Sequence, residues 1–107
     1  MQRHASVIGI PSGNCEEYER LHAAVWPEVL AKIAEVNIQN YSIYRHGELL
    51  FSYFEYVGDN FDTDMAKMAA DPKTQEWWEV CMPLQRPVKD RADGEWWASI
   101  PEVFHVD

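Results

Sequence analysis

The stretch Ile38-Gln39-Asn40-Tyr41-Ser42-Ile43-Tyr44-Arg45-His46-Gly47-Glu48-Leu49-Leu50-Phe51-Ser52-Tyr53-Phe54-Glu55-Tyr56-Val57 decides how this chain folds. Both arms are rich in β-branched and aromatic residues, which suit a pleated, half-buried surface. The short His46-Gly47-Glu48 link between them reads as a hairpin, with strands over 38–46 and 49–57. Tyr41, Ile43, Phe51 and Tyr53 lie in strands whose side chains alternate in direction, so neither face of the sheet is purely polar. Apolar character on both faces predicts that the second face is covered, most simply by another copy of the chain. The expectation is a homodimer.

Upstream of the hairpin, residues 4–10 read as a strand running into the Pro11-Ser12-Gly13 turn. Asn14, with Glu17 three residues on, suits an N-cap with an Asn version of the capping box. The helix this starts runs to about Val36, with Val29, Leu30, Ile33 and Val36 at helical spacing. Pro27 lies within it and removes one backbone donor, so a kink or a fresh start is expected there. Downstream, 59–70 is a second helical stretch, broken by Asp71-Pro72, and Thr74–Val80 is a further short helix carrying Trp77-Trp78. Residues 83–94 read as a loop, and 95–100 with 102–106 as a last strand interrupted by Pro101. The order is β-α-β-β-α-β, the ferredoxin-like arrangement: an α+β fold with an antiparallel sheet and helices on one face.

The length of 107 residues predicts one domain, and 47% hydrophobic residues are enough for a modest core. A formal charge of −9 repels phosphate backbones and anionic bilayers, so nucleic-acid and membrane partners are disfavoured and a neutral ligand is expected. Cys15 and Cys81 have no metal or redox spacing and read as free thiols. The N-terminal apolar run is too short for a secretory leader. Together these predict a cytoplasmic protein.

Tyr18, His22 and Trp26 follow one another at four-residue steps, so a helix would stack a phenol, an imidazole and an indole on one face. The bland reading of His22 is a packed core histidine. A metal ligand is disfavoured because His4, His22, His46 and His105 show no ligand spacing, and no nucleophile motif supplies a Ser or Cys partner. A general acid or base remains, since an ordinary imidazole titrates near 6.5. Trp77 and Trp78 differ by about 100° around a helix, so one can fill the core while the other lines a groove for the apolar face of a sugar ring. Trp96-Trp97 is assigned to packing or to the dimer contact. Asp59–Asp64 lacks the central Gly and trailing Glu of a calcium loop and suits a capped helix start.

Glu17-Tyr18, His22, Trp26-Pro27-Glu28, Asn40-Tyr41-Ser42-Ile43-Tyr44, Trp77-Trp78 and Glu102-Val103-Phe104 together resemble the L-rhamnose mutarotases in order and spacing over nearly the whole chain. The resemblance implies a dimeric ferredoxin-like α/β-barrel that interconverts α and β anomers of a 6-deoxy-L-hexopyranose without metal or organic cofactor. It also implies His22 as the proton donor and Tyr18, Tyr41, Trp77 and Trp78 as substrate contacts. Segments 56–70 and 83–97 and the last residues of the tail depart from the better-known rhamnose enzymes. L-fucose therefore stands as the alternative sugar. A cofactor-free or haem-handling monooxygenase on the same barrel and a non-catalytic sugar-binding dimer are the rival readings.

Overall fold

A computed structural model describes residues 1–107. Strands β1 (Gln2–Gly9), β2 (Ile38–His46), β3 (Leu49–Tyr56) and β4 (Ala98–Ile100) form one antiparallel sheet in the order β2-β3-β1-β4. The connecting helices are α1 (Cys15–His22), α2 (Pro27–Glu35), α3 (Phe61–Ala70) and α4 (Pro72–Cys81). This is the ferredoxin-like α+β order expected from the hairpin and its flanks.

Register explains which residues meet. Ile8 pairs with Leu50, Ser6 with Ser52 and His4 with Phe54, so these share one face. That face carries the core: Ile8 and Leu50 pack with Cys15 and Tyr18 of α1, Val29 of α2, and Trp77 and Cys81 of α4. The opposite face holds Val7, Phe51 and Tyr44 in one row and Ala5, Tyr53 and Ser42 in the next. No helix covers it, and Tyr44 is 65% exposed.

The long helix expected from Asn14 to Val36 is two helices. Trp26 precedes a proline, which disfavours helical ψ. It adopts ψ 134° and becomes the N-cap of α2, with Pro27 in the first turn. Its carbonyl accepts from the backbone N–H of Val29 and Leu30 at 3.0 and 3.1 Å. The stripe therefore ends at His22. Asn14 does not form the expected capping box; its side-chain amide instead donates to the Leu84 carbonyl at 3.0 Å. The caps of the later helices come from Asn60 and Asp71, whose side chains accept from the N–H of Thr63 and Thr74.

The last strand is shorter than the sequence suggests. Only Ala98–Ile100 pairs with β1, and Pro101 ends the ladder because it has no N–H to contribute. Beyond it Val103 and Phe104 are 93% and 80% exposed.

One irregularity matters for the site. Gln39 faces Glu55 and Ser42 faces Tyr53, so β2 carries one residue more than β3 between these pairs. That is a β-bulge. Asn40 occupies it at φ 50°, a left-handed conformation that Asn tolerates better than most residues, and its amide donates to Glu55 at 2.6 Å. Counted from Ile38, which also faces the helices, alternation would put Tyr41 on the open face; the extra residue lets it share the helix-covered face with Ile43, the partner of Ser52. Asn40 is thus spent on the backbone and not on a ligand. Asn40→Val is expected to cost about 1–2 kcal/mol, because a β-branched residue resists positive φ. Asn40→Gly should cost clearly less in the same denaturant titration; equal losses would mean the backbone conformation is not what Asn40 supplies.

Candidate functional site

Between the sheet and the helices lie two adjoining cavities of about 360 Å³ each. They share His22 from α1, Tyr41 and Ile43 from β2, Met68 from α3, and Trp77 and Trp78 from α4. One extends along α2 past Val25, Val29 and Ile33. The other extends past Tyr18, Cys81 and Gln85 to Trp96 and Trp97. The walls are mostly apolar with few polar groups, the usual makeup of a small-molecule site. All five residues singled out from the sequence, Tyr18, His22, Tyr41, Trp77 and Trp78, line this space.

α1 sets the geometry of the first two. One helical turn stacks the Tyr18 and His22 rings 4.1 Å apart at 23°. His22 Nδ1 lies 2.9 Å from the Tyr18 backbone carbonyl. A carbonyl only accepts, so Nδ1 carries the proton and Nε2 presents a lone pair. Burial lowers the His22 pKa below its ordinary 6.5, and the bond to the Tyr18 carbonyl offsets part of that shift. The imidazole is therefore neutral at neutral pH, with an acceptor left free. Trp77 holds the ring edge-on at 5.2 Å, and Trp26 packs on Trp77 at 5.1 Å. Trp26 lines neither cavity; it is the wall behind Trp77.

The hydroxyl-bearing residues behave differently. Desolvation pushes the Tyr18 phenol up, and a hydrogen bond from Gln85 pulls it part of the way back. Tyr41 is 42% exposed as a residue, yet its phenol is desolvated enough to be pushed up as well. Both phenols stay protonated and can donate. The Cys81 thiol is pushed up to about 11 by burial, which removes it as a nucleophile at neutral pH. Trp77 is 6% exposed and Trp78 half-buried, so the first belongs to the core as well as to the cavity wall.

Three site residues escaped the sequence reading. Gln85 sits in what reads as an ordinary Pro-flanked loop. Trp96 and Trp97 precede β4 instead of lying within it, so they do not alternate across a sheet; both turn toward the same cavity. Trp96 Nε1 donates to Gln85 Oε1 at 2.7 Å, and Gln85 Nε2 donates to Tyr18 Oη at 3.1 Å. No grouping of His, Cys, Asp or Glu has the geometry of a metal site.

An apolar pocket with a neutral imidazole acceptor beside phenol donors is suited to moving protons between the oxygens of an uncharged ligand. The family model described as L-rhamnose mutarotase matches residues 3–106. An L-rhamnose mutarotase of Phocaeicola vulgatus is 31% identical over the full length of both chains. An L-fucose mutarotase of Xanthomonas campestris is 33% identical, covering 82% of this chain and 73% of its own. The crystal structure of an L-rhamnose mutarotase from Formosa agariphila superposes with a TM-score of 0.78 at 20% identity, over all of both chains. The protein is a sugar isomerase of the mutarotase type. It belongs to the L-rhamnose mutarotase family.

The protonation state of His22 is directly measurable. Its ring should titrate with a midpoint below 6.5 in a ¹⁵N NMR experiment, with the proton on Nδ1 above that midpoint. Because the folded pKa is lower than the unfolded one, protonation disfavours the native state only as pH falls below about 6.5. A midpoint above 6.5, or a proton on Nε2, would contradict the site as described.

Proposed function

We propose that this chain interconverts the α and β anomers of L-rhamnose, with His22 and Tyr18 as the proton-transfer pair. The observation that carries the reading is their complementarity: an imidazole lone pair and a phenolic donor on adjacent turns of α1, facing one apolar pocket. Ring opening of a hemiacetal must remove a proton from the anomeric hydroxyl and deliver one to the ring oxygen. His22 Nε2 accepts the first as the C1–O5 bond breaks and the aldehyde forms. Tyr18 donates the second, because a ring oxygen leaving as an alkoxide is a stronger base than a phenolate. Rotation about C1–C2 then presents the other face of the aldehyde. On closure the transfers reverse, and His22 returns its proton to O1. It is thus a proton acceptor on opening and the proton donor on closing, as microscopic reversibility demands.

Tyr41, turned inward by the bulge, is positioned to hydrogen-bond sugar hydroxyls. Trp77 and Trp78 offer ring faces to the C–H side of the sugar and to its methyl group. General acid–base catalysis of this kind contributes about 10²–10⁴-fold, which suits a reaction that also proceeds unaided.

The same reading includes a cytoplasmic homodimer. The row of exposed Tyr44 with half-buried Phe51 and Val7 gives the open sheet face a surface for a second copy, and the tail adds the exposed Val103 and Phe104. Cys15 and Cys81 are both unpaired thiols, in keeping with a reducing compartment. No helix is long and apolar enough to cross a membrane.

Saturation-transfer NMR on L-rhamnose and L-fucose tests the reaction and the sugar together: faster exchange of L-rhamnose is expected. Equal or greater acceleration of L-fucose would reassign the substrate, and no acceleration of either would remove the enzyme reading. His22→Ala should lower the enzymatic exchange about 100-fold or more while leaving the fold intact. The parent rate should fall as pH drops through the His22 midpoint, which burial places below the ordinary 6.5, as neutral imidazole is lost. For the assembly, sedimentation should give twice the 12.5 kDa chain mass, and Tyr44→Asp should shift it toward the monomer. A parent chain that sediments as a monomer at micromolar concentration would overturn that part.

A further inference from the structure

Gln85 lies between Trp96 and Tyr18, and the chemistry of its two neighbours fixes which way round it sits. An indole N–H can only donate. With Trp96 Nε1 2.7 Å from Gln85 Oε1, the amide oxygen is committed to Trp96 and the amide nitrogen faces Tyr18 Oη at 3.1 Å. The Tyr18 hydroxyl thus accepts from the protein. Its own proton is left to point into the cavity.

The loop that carries Gln85 is held on both sides. Asn14 donates to the carbonyl of Leu84, the residue before it, at 3.0 Å. The residue after it, Arg86, exchanges two backbone hydrogen bonds with Gly9 at 2.8 and 2.9 Å. That close approach needs glycine, since a Cβ at position 9 would lie 2.5 Å from the Arg86 carbonyl oxygen. Gln85 N also donates to Met82 O at 3.0 Å. A side chain anchored so firmly on a loop outside the sheet, and joined end to end in one donor direction, is placed to orient another group.

We infer that Gln85, locked by Trp96, is a positioning residue that keeps Tyr18 a proton donor toward the substrate and stabilises the phenolate formed when that proton leaves. The inference rests on the mutarotase reading and deepens it. In ring opening the phenolic proton goes to the ring oxygen as the C1–O5 bond breaks, while His22 takes the anomeric proton. The negative charge then rests on Tyr18 Oη, where the Gln85 N–H already points. On closure the phenolate takes the hydroxyl proton of O5 back, and no net proton is gained or lost. Tyr41 and Cys81 are the other titratable groups acting on Tyr18, and both are neutral at working pH. The charge therefore faces two groups, the His22 imidazolium stacked on the ring at 4.1 Å and the Gln85 amide, and the amide is the one that hydrogen-bonds Oη.

The direction of the chain makes the proposal testable by an isosteric change. In Gln85→Glu the introduced carboxylate can still accept from Trp96 but cannot donate to Tyr18. It turns the phenolic proton away from the substrate and opposes the phenolate. On L-rhamnose exchange by NMR, kcat should fall about 10- to 100-fold at pH 7.5, with KM changed much less. The ratio of variant to parent rate, each corrected for the His22 midpoint measured by NMR in that protein because the new carboxylate raises it, should then rise as pH is lowered toward 5, since a protonated carboxyl can again donate. Trp96→Phe, which frees the amide to rotate, should lower kcat about tenfold at most, independent of pH. Unchanged kcat in Gln85→Glu, or a loss that is the same at every pH, would overturn the inference. Failure of the parent chain to accelerate exchange would instead strike the mutarotase reading itself. Circular dichroism and thermal unfolding of both variants, expected to match the parent, separate these outcomes from misfolding.

Discussion

The burial of Ile8 and Leu50, paired across β1 and β3, against Tyr18, Val29 and Trp77 is the contact that positions everything else in this molecule. Both aliphatic side chains are essentially without solvent exposure, and each contributes on the order of 1.5–3 kcal/mol by leaving water. The same contact brings α1, α2 and α4 down on one face of the sheet. It does so with a phenol and an indole among the packing groups. The core and the site are therefore not separate regions: Tyr18 and Trp77 are buried parts of the one and walls of the other.

That sharing explains the chemistry available to the pocket. Burial raises the pKa of both phenols and of the Cys81 thiol, and lowers that of His22. Every titratable wall group is driven to its neutral form. What remains is a set of directed hydrogen-bond donors and one acceptor, set by which neighbour each group is committed to: His22 Nδ1 to a carbonyl, Gln85 Oε1 to an indole. A neutral pocket of this kind has nothing to offer a phosphate or a carboxylate, and much to offer an uncharged polyhydroxyl ring. The overall charge of −9 points the same way from the outside.

Much of the fold was legible because periodic burial writes itself into the sequence. The 38–57 hairpin, the order of elements and the two tryptophans of α4 follow from alternation, turn residues and helical spacing. The misreadings have specific physical causes. A proline at position 27 can kink a helix or begin one, and the extended backbone it imposes on Trp26 chose the second. Asn14 had a better partner in Leu84, seventy residues away, than in its own helix. The last strand was cut short by Pro101, which left the apolar tail without a ladder.

The sequence by itself determined the ferredoxin-like order and the stacking of Tyr18 on His22, because these depend on spacings of a few residues along each element, while the candidates Tyr41, Trp77 and Trp78 came from the resemblance to the mutarotase family. Only the tertiary structure decided which way those groups face and what they can do. A single extra residue at Asn40 lets Ile38 face inward on one side of it and Tyr41 and Ile43 face inward on the other, and only the pairing with β3 shows which end of the strand sets the face. Gln85 and Trp96 join Tyr18 across sixty-seven and seventy-eight positions of chain. Their roles come from hydrogen bonds that exist only once Gly9 and Arg86 have closed the loop against the sheet. Protonation state and donor direction are likewise properties of burial and of partners, so they were settled by packing and not by residue identity.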